Sequence, residues 1–306
     1  MEGLPLPLSP PSFPWRLPRV SAITTPMPIR RAATLLFLFL LTLLTCGCSI
    51  TQALRVRDHE RVDVQSMIAD LSGSPVLFLG ERHDASAHHE LQLRVLEALK
   101  AQGKDLVIGM EMFEKVSQPA LDAWSAGRVP ESAFRKVYQW SWRHIPWGMY
   151  SDIFFFARDN HIPIVALNAP RGIVQNVAQH GFGSLSAAEL ADLPPDVDAR
   201  VTDQFLNFMR GSFPSHGRSG DAYRHIAEAQ MLRNMVMARR INDYMTAHPK
   251  KVMVVIAGGG HARGVGGVPA ELRGNLVYRI VLPPVPPLDE ESVTPEDADY
   301  LLVERF

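Results

Sequence analysis

The chain has 306 residues, 46% of them hydrophobic and 21% charged, with a formal net charge of −1. This is globular composition, long enough for one large domain, and the near-neutral balance excludes nucleic acid as a partner. Its two cysteines, Cys46 and Cys48, stand together near the N-terminus, which excludes a disulfide framework, a cysteine nucleophile or a thiolate zinc site in the rest.

Residues 1–47 read as a dispensable leader. Residues 1–26 are Pro-rich, and Met27 offers an alternative start. Arg30 and Arg31 then form a basic n-region ahead of an apolar run, Ala32 to Leu44, too short for a comfortable membrane span. The segment Leu44-Thr-Cys-Gly-Cys48 resembles a bacterial lipobox, with Cys48 as the lipidated residue. Ser49, where an Asp would hold a lipoprotein at the inner membrane, favours the outer membrane of a bacterial envelope. Residues 48–74 are polar and read as a tether, with a short helix near Val64 to Leu71.

The domain is expected over residues 75–306. Val76 to Leu79 is an apolar run of strand length, ending in Gly80-Glu-Arg-His83. Ser86 to Gln102 has apolar residues at helical spacing, with Gly103 as its stop. Asp105 to Met110 is a second strand, followed by Glu111 and Glu114. Ser117 reads as the cap of the next helix, with Pro119 in its first turn. Trp140, Trp142 and Trp147 lie in one stretch with Tyr150. They either cover the core or line an apolar pocket.

A third strand, Ile162 to Leu167, leads into Asn168-Ala-Pro-Arg171. Residues 172–220 read as a helical insertion or lid. Asp221 is the expected cap of a long helix reaching Ala247, whose methionines belong to the core. Val252 to Ala257 is another buried strand, broken by Gly258-Gly-Gly260 ahead of His261. Strands at Leu276 to Leu282 and Tyr300 to Val303 close the chain. Strands alternating with helices predict an α/β fold, a mostly parallel central sheet flanked by helices.

Four strand ends carry polar groups: Glu81 and His83, Glu111 and Glu114, Asn168 and Arg171, and His261. Ligands of open parallel sheets bind at the carboxyl ends of strands, so these groups are expected to share one cleft. The glycines allow a ligand close to the backbone, but no Lys-Ser/Thr follows them, which excludes a phosphate loop. Two chemistries remain open. Glu and His side chains suit a divalent metal with a carboxylate general base. The His and Arg residues equally suit the acidic edge of a large ligand.

As an ordered set, Gly80-Glu-Arg-His83, Glu111-Met-Phe-Glu114, Trp147-x-x-Tyr150, Leu167-Asn-Ala-Pro-Arg171, Ala229-Gln230 through Met237-Ala238 and Gly258-Gly-Gly-His261 resemble the ChaN-like haem-binding lipoproteins. That family belongs to a superfamily with the Tiki proteases, TraB proteins and erythromycin esterases. The resemblance implies haem bound at the protein surface for iron uptake, a Tyr ligand to the iron, and two protomers paired around stacked haems. An outer-membrane haem receptor is a possible partner. Tyr150 is the position carried over as ligand, with Arg143, His144 and Arg158 as nearby cations to favour phenolate, and His83, His261, Arg171 and Trp147 as further haem contacts. Asn234 stands where the family pattern has Asp. The Tiki branch implies the alternative, a metal-dependent peptidase or other hydrolase with Glu81, His83, Glu111 and His261 as ligands or base.

Overall fold

A computed structural model of the chain describes residues 50–212, 219–284 and 287–304. The leader, Met27 and Cys48 lie outside the described residues.

Among the described residues, eight strands form one sheet: β1 (Gln52–Arg55), β2 (Glu60–Asp63), β3 (Val76–Glu81), β4 (Leu106–Glu114), β5 (Ile164–Asn168), β6 (Val252–Gly258), β7 (Tyr278–Leu282) and β8 (Tyr300–Val303). Their order is β2-β1-β8-β7-β3-β6-β4-β5. From β8 to β5 every pairing is parallel, while β1 runs antiparallel to both neighbours. The expected mostly parallel α/β sheet is therefore present.

The expectation of a tether over residues 48–74 is corrected within the described residues. β1 and β2 form a hairpin that lies on β8, and Ala53, Leu54 and Val56 are buried. These strands are short, and β2 (Glu-Arg-Val-Asp) is largely exposed, so little apolar patterning marks them. The expected short helix is there as α1 (Val64–Leu71), capped by Asp63, whose carboxylate accepts the Ser66 N–H.

The other helices are α2 (Ser86–Ala101), α3 (Gln118–Ser125), α4 (Glu131–Ser141), α5 (Ser151–Asp159), α6 (Arg171–His180), α7 (Ala187–Ala191), α8 (Asp203–Ser212), α9 (Gly220–Ala247) and the single turn α10 (Gly259–Ala262). α2 ends on Gly103 at a φ of +78°, as its sequence requires. Two expected caps differ. Ser117 holds the expected N-cap position of α3 but its hydroxyl faces Ser141 instead of capping, and Asp221 lies inside the first turn of α9.

Alternation along the strands builds two cores. Leu77 and Leu79 of β3, with Val254 and Ile256 of β6, pack under α1 to α5. Val76 and Phe78, with Met253 and Val255, face the second half of α9. The expected helical insertion is helical, and it packs: α6 lies on α9 through Ile173, Val177, Leu232 and Val236, and α8 through Phe205, Met209 and Ala227.

A buried acid and histidine array at the strand ends

The same alternation decides where the acids point. Glu81 is two residues past Leu79, so it falls on the face covered by α2 and α5. In β4, Leu106, Ile108 and Met110 face that same core, so Glu111 turns to the opposite face, toward α9. A register shift against β5 after Met110 then lets Met112 and Phe113 both enter the first core. The two carboxylates thus end on opposite faces at the carboxyl end of the sheet, with His83 and Gly258 between them. A Cβ on Gly258 would stand 3.0 Å from His83 Cε1, 3.1 Å from its Nε2 and 3.6 Å from Glu111 Oε2.

Glu81 is buried and saturated. His83 Nδ1 lies 2.7 Å from its Oε1, and the Tyr150 hydroxyl donates to that same oxygen. Gln92 Nε2 donates to Oε2 at 2.7 Å, and His89 Nδ1 stands 3.2 Å from it. Burial pushes this carboxyl up, but the bonds from His83 and His89 outweigh it and hold it at about 2. His89 is enclosed by acceptors: its Nε2 lies 3.1 Å from the His83 carbonyl, and its Nδ1 faces Gln92 Oε1 and Glu81. Both ring nitrogens therefore donate. Burial lowers the His89 pKa, the Glu81 contact raises it, and the net direction is upward. His83 is also raised, the Glu81 bond and the Glu111 charge overcoming burial.

Glu111 has its own partners. Arg233 of α9 donates to Oε1, and the Gly258 N–H donates to Oε2 at 2.7 Å. Arg233 also reaches Asn168 Oδ1 at 3.2 Å. Burial raises the Glu111 carboxyl; the facing His261 ring, the Arg233 guanidinium and His83 outweigh it, leaving it at about 2. His261 Nε2 stays 3.8 Å from Glu111 Oε1. Its Nδ1 donates to Asn234 Oδ1 at 2.6 Å, because Asn234 Nδ2 is committed to the Gly266 carbonyl. Burial, reinforced by the Arg233 charge, drops His261 to about 3, so the ring is neutral and Arg233 supplies the charge that balances Glu111.

Of the expected site residues, the structure brings together Glu81, His83, Glu111, Asn168 and His261. Glu114 lies past the bulge, opposite Asn168, and takes no part. His89, Gln92 and Arg233 were not anticipated. Their signal was helical position: His89 and Gln92 are a turn apart on the helix after the first strand, and Arg233 directly precedes Asn234.

Three expectations are corrected. Tyr150, the expected surface ligand of iron, is fully buried with its hydroxyl given to Glu81, and burial and the Glu81 charge push its pKa far up. Trp147 is a core residue, stacked on Phe154 at 5.2 Å and edge-on to Trp124. Arg158 lies over Trp124 and Phe155 rather than near Tyr150. The divalent-metal arrangement does not fit either. Both carboxylates are filled by protein donors, a guanidinium stands beside Glu111, and among the described residues no group of three or more His, Cys, Asp or Glu is arranged to hold an ion.

The array opens through His83 into a pocket of about 370 Å³. Trp142, Ile145, Arg143, His144 and Arg171 line it. Trp142 stands edge-on to His83 at 4.9 Å, and its buried indole N–H has no partner among the described residues. Arg171 donates to the Ser141 carbonyl at 2.9 Å and lies over the exposed ring of Trp140.

Sheet and array together define a mostly parallel α/β protein with a buried acid–histidine cluster beneath an arginine- and tryptophan-lined mouth. The chain belongs to the family described as haem-binding uptake, Tiki superfamily, ChaN, whose model matches residues 67–272. Membership supports haem as its ligand. The ChaN protein of Campylobacter jejuni, solved with cofacially bound haem, superposes with a TM-score of 0.65 at 16% identity, over 83% of this chain and 97% of that one. At that identity the likeness establishes the fold. A looser likeness, TM-score 0.48 at 12% identity over 84% of this chain and 97% of the other, extends to the type III effector HopBA1. Protein RETICULATA-RELATED 5, chloroplastic, of Arabidopsis thaliana is 22% identical over 148 residues, 46% of this chain, and the match spans only 20% of that protein.

Proposed function

We propose that this protein is a lipid-anchored haem-binding protein of the bacterial envelope, serving iron uptake, with haem seated over the mouth at His83. The observation that carries the reading is the composition of that mouth. Arg143 and Arg171 are suited to the two propionates of haem, Trp142 and Ile145 to the macrocycle, and the orphaned Trp142 N–H to an acceptor on the ligand. Haem bound there would supply a ferric iron in need of a protein donor atom.

Anchoring rests on the lipobox-like Cys48. Fractionation tests it: the wild type should sediment with membranes and Cys48→Ala should not. The cofacial haems of the Campylobacter protein support a haem-stabilised pair of protomers here, with an outer-membrane receptor as donor or acceptor. The central test is a ferric-haem titration followed by absorbance and by mass in solution. Saturable binding with a rise from monomer to dimer mass is expected. No saturable binding sinks the reading, and binding without a change in mass removes the dimer alone.

A further inference from the structure

We infer that the groove along β5 is a second ligand site, taking a long-chain monocarboxylate whose head group pairs with Arg240. The inference stands apart from the haem reading, since no residue of this groove lines the mouth at His83.

The first ground is an arginine without a counter-ion. Arg240 of α9 lines a groove of about 1060 Å³, a generous volume for a small-molecule site. Its Nη1 donates to the Ala166 carbonyl at 2.9 Å, and no carboxylate stands within ion-pair distance of it among the described residues. Burial works against the Arg240 charge, and the Glu114 carboxylate, too far away to pair, opposes this only in part. Lys115, Asp192 and Asp243 also line the groove, but all three are exposed, where water and salt screen them. Tyr244 follows Arg240 by one turn on the same face of α9 and lines the groove beside it. Its ring lies 4.5 Å from that of His248, and its hydroxyl has no hydrogen-bond partner among the described residues. One carboxylate accepts from a guanidinium and a phenol together.

The second ground is what the walls admit. Val116, Pro119, Val165, Leu193, Pro194 and Ala247 give the groove an apolar lining, and Val116 is 70% exposed, carrying that lining out to solvent. An extended peptide would enter by pairing with β5, but that edge is already occupied. Gln118 takes the Ala166 N–H and the Ile164 carbonyl, and Arg240 takes the Ala166 carbonyl. Pro119 and Pro194 have no N–H to offer a peptide from the facing walls. The occupant that fits has no backbone to pair: an apolar body held by contact, with one anionic end for one unpaired cation.

The test is isothermal titration calorimetry of the full-length, haem-free protein with decanoate and with 1-decanol, its neutral counterpart of equal length. The wild type should bind decanoate saturably and decanol at least about tenfold more weakly. Arg240→Met, which keeps the stem and removes the charge, should weaken decanoate at least about tenfold, and Arg240→Lys should recover part of that loss. If Arg240→Met does not fold, Ala247→Trp, at an exposed position ending α9, fills the groove and should abolish binding. No saturable decanoate binding, equal affinity for decanol, or binding unchanged in folded Arg240→Met or in Ala247→Trp overturns the site. Loss of decanoate binding in Arg171→Met instead of Arg240→Met places the carboxylate at the haem mouth and overturns it as well.

Discussion

At the scale of single residues, the array is a set of charges that tolerate burial because each has a counterpart. Arg233→Ala leaves Glu111 charged without its guanidinium, with only the Gly258 N–H still donating to it, and should cost about 3–5 kcal/mol in urea unfolding. Replacing both Glu111 and Arg233 with Met should cost much less, since the pair is removed rather than broken. His261 makes a pH prediction. Its folded pKa is depressed from 6.5 to about 3, so between those values the unfolded chain binds the extra proton and stability rises with pH. The stability attached to its neutral form is complete above 6.5 and is lost as pH falls toward 3. The urea midpoints of wild type and His261→Asn should therefore converge over that window on acidification. Gly258→Ala tests the crowded gap beside His83. The new methyl must displace the ring, costing about 1–3 kcal/mol in thermal unfolding and weakening haem binding. Much of this chemistry was legible, since Glu81, His83, Glu111 and His261 all stand where apolar runs end. Tyr150 misled because a Trp-x-x-Tyr pattern carries no mark of burial: one hydroxyl reads alike whether it meets solvent or a buried carboxylate.

Among the elements, β5 shows how the sheet ends. It is the outer strand beside β4, yet its outward groups are not bare. The Gln118 side chain accepts from the Ala166 N–H at 2.8 Å and donates to the Ile164 carbonyl at 2.8 Å, in the manner of a neighbouring strand. Arg240 donates to the Ala166 carbonyl at 2.9 Å. An uncovered edge invites pairing with another chain. Gln118→Ala should cost about 1 kcal/mol and increase self-association, which light scattering at rising protein concentration would show. β3 and β6 could be read from sequence because both faces are buried, which writes them as unbroken apolar runs. β1 and β2 could not, because four-residue strands with polar ends match a linker as well as a hairpin. The helix boundaries of α2 and α9 were close because periodicity and stop residues agree, whereas capping bonds depend on a single side-chain rotamer: Ser117 holds the cap position without the bond, and at α9 the cap is Ser219 rather than Asp221.

For the whole molecule, strand order was the least legible property. Periodicity names strands but not neighbours, and the sheet pairs residues far apart in sequence, Gln52 with Val303 and Val76 with Met253. The first of these pairings has a practical side. β8 runs parallel to β7 and β3, so Val303 lies at the array's end of the sheet, and Glu304 reaches His88 at 2.6 Å and Arg82 at 3.5 Å. β1 is antiparallel to β8, so Gln52 starts at that same rim. Gln52 and Val303 thus lie at the array's rim of the sheet rather than at the far one. A run of histidines introduced beside Glu304 would sit at that rim and offer rival imidazoles to any haem bound there. Fluorophores placed there would report on haem by quenching. Were Cys48 acylated as proposed, its separation of four residues from Gln52 would keep this rim within about 14 Å of the bilayer.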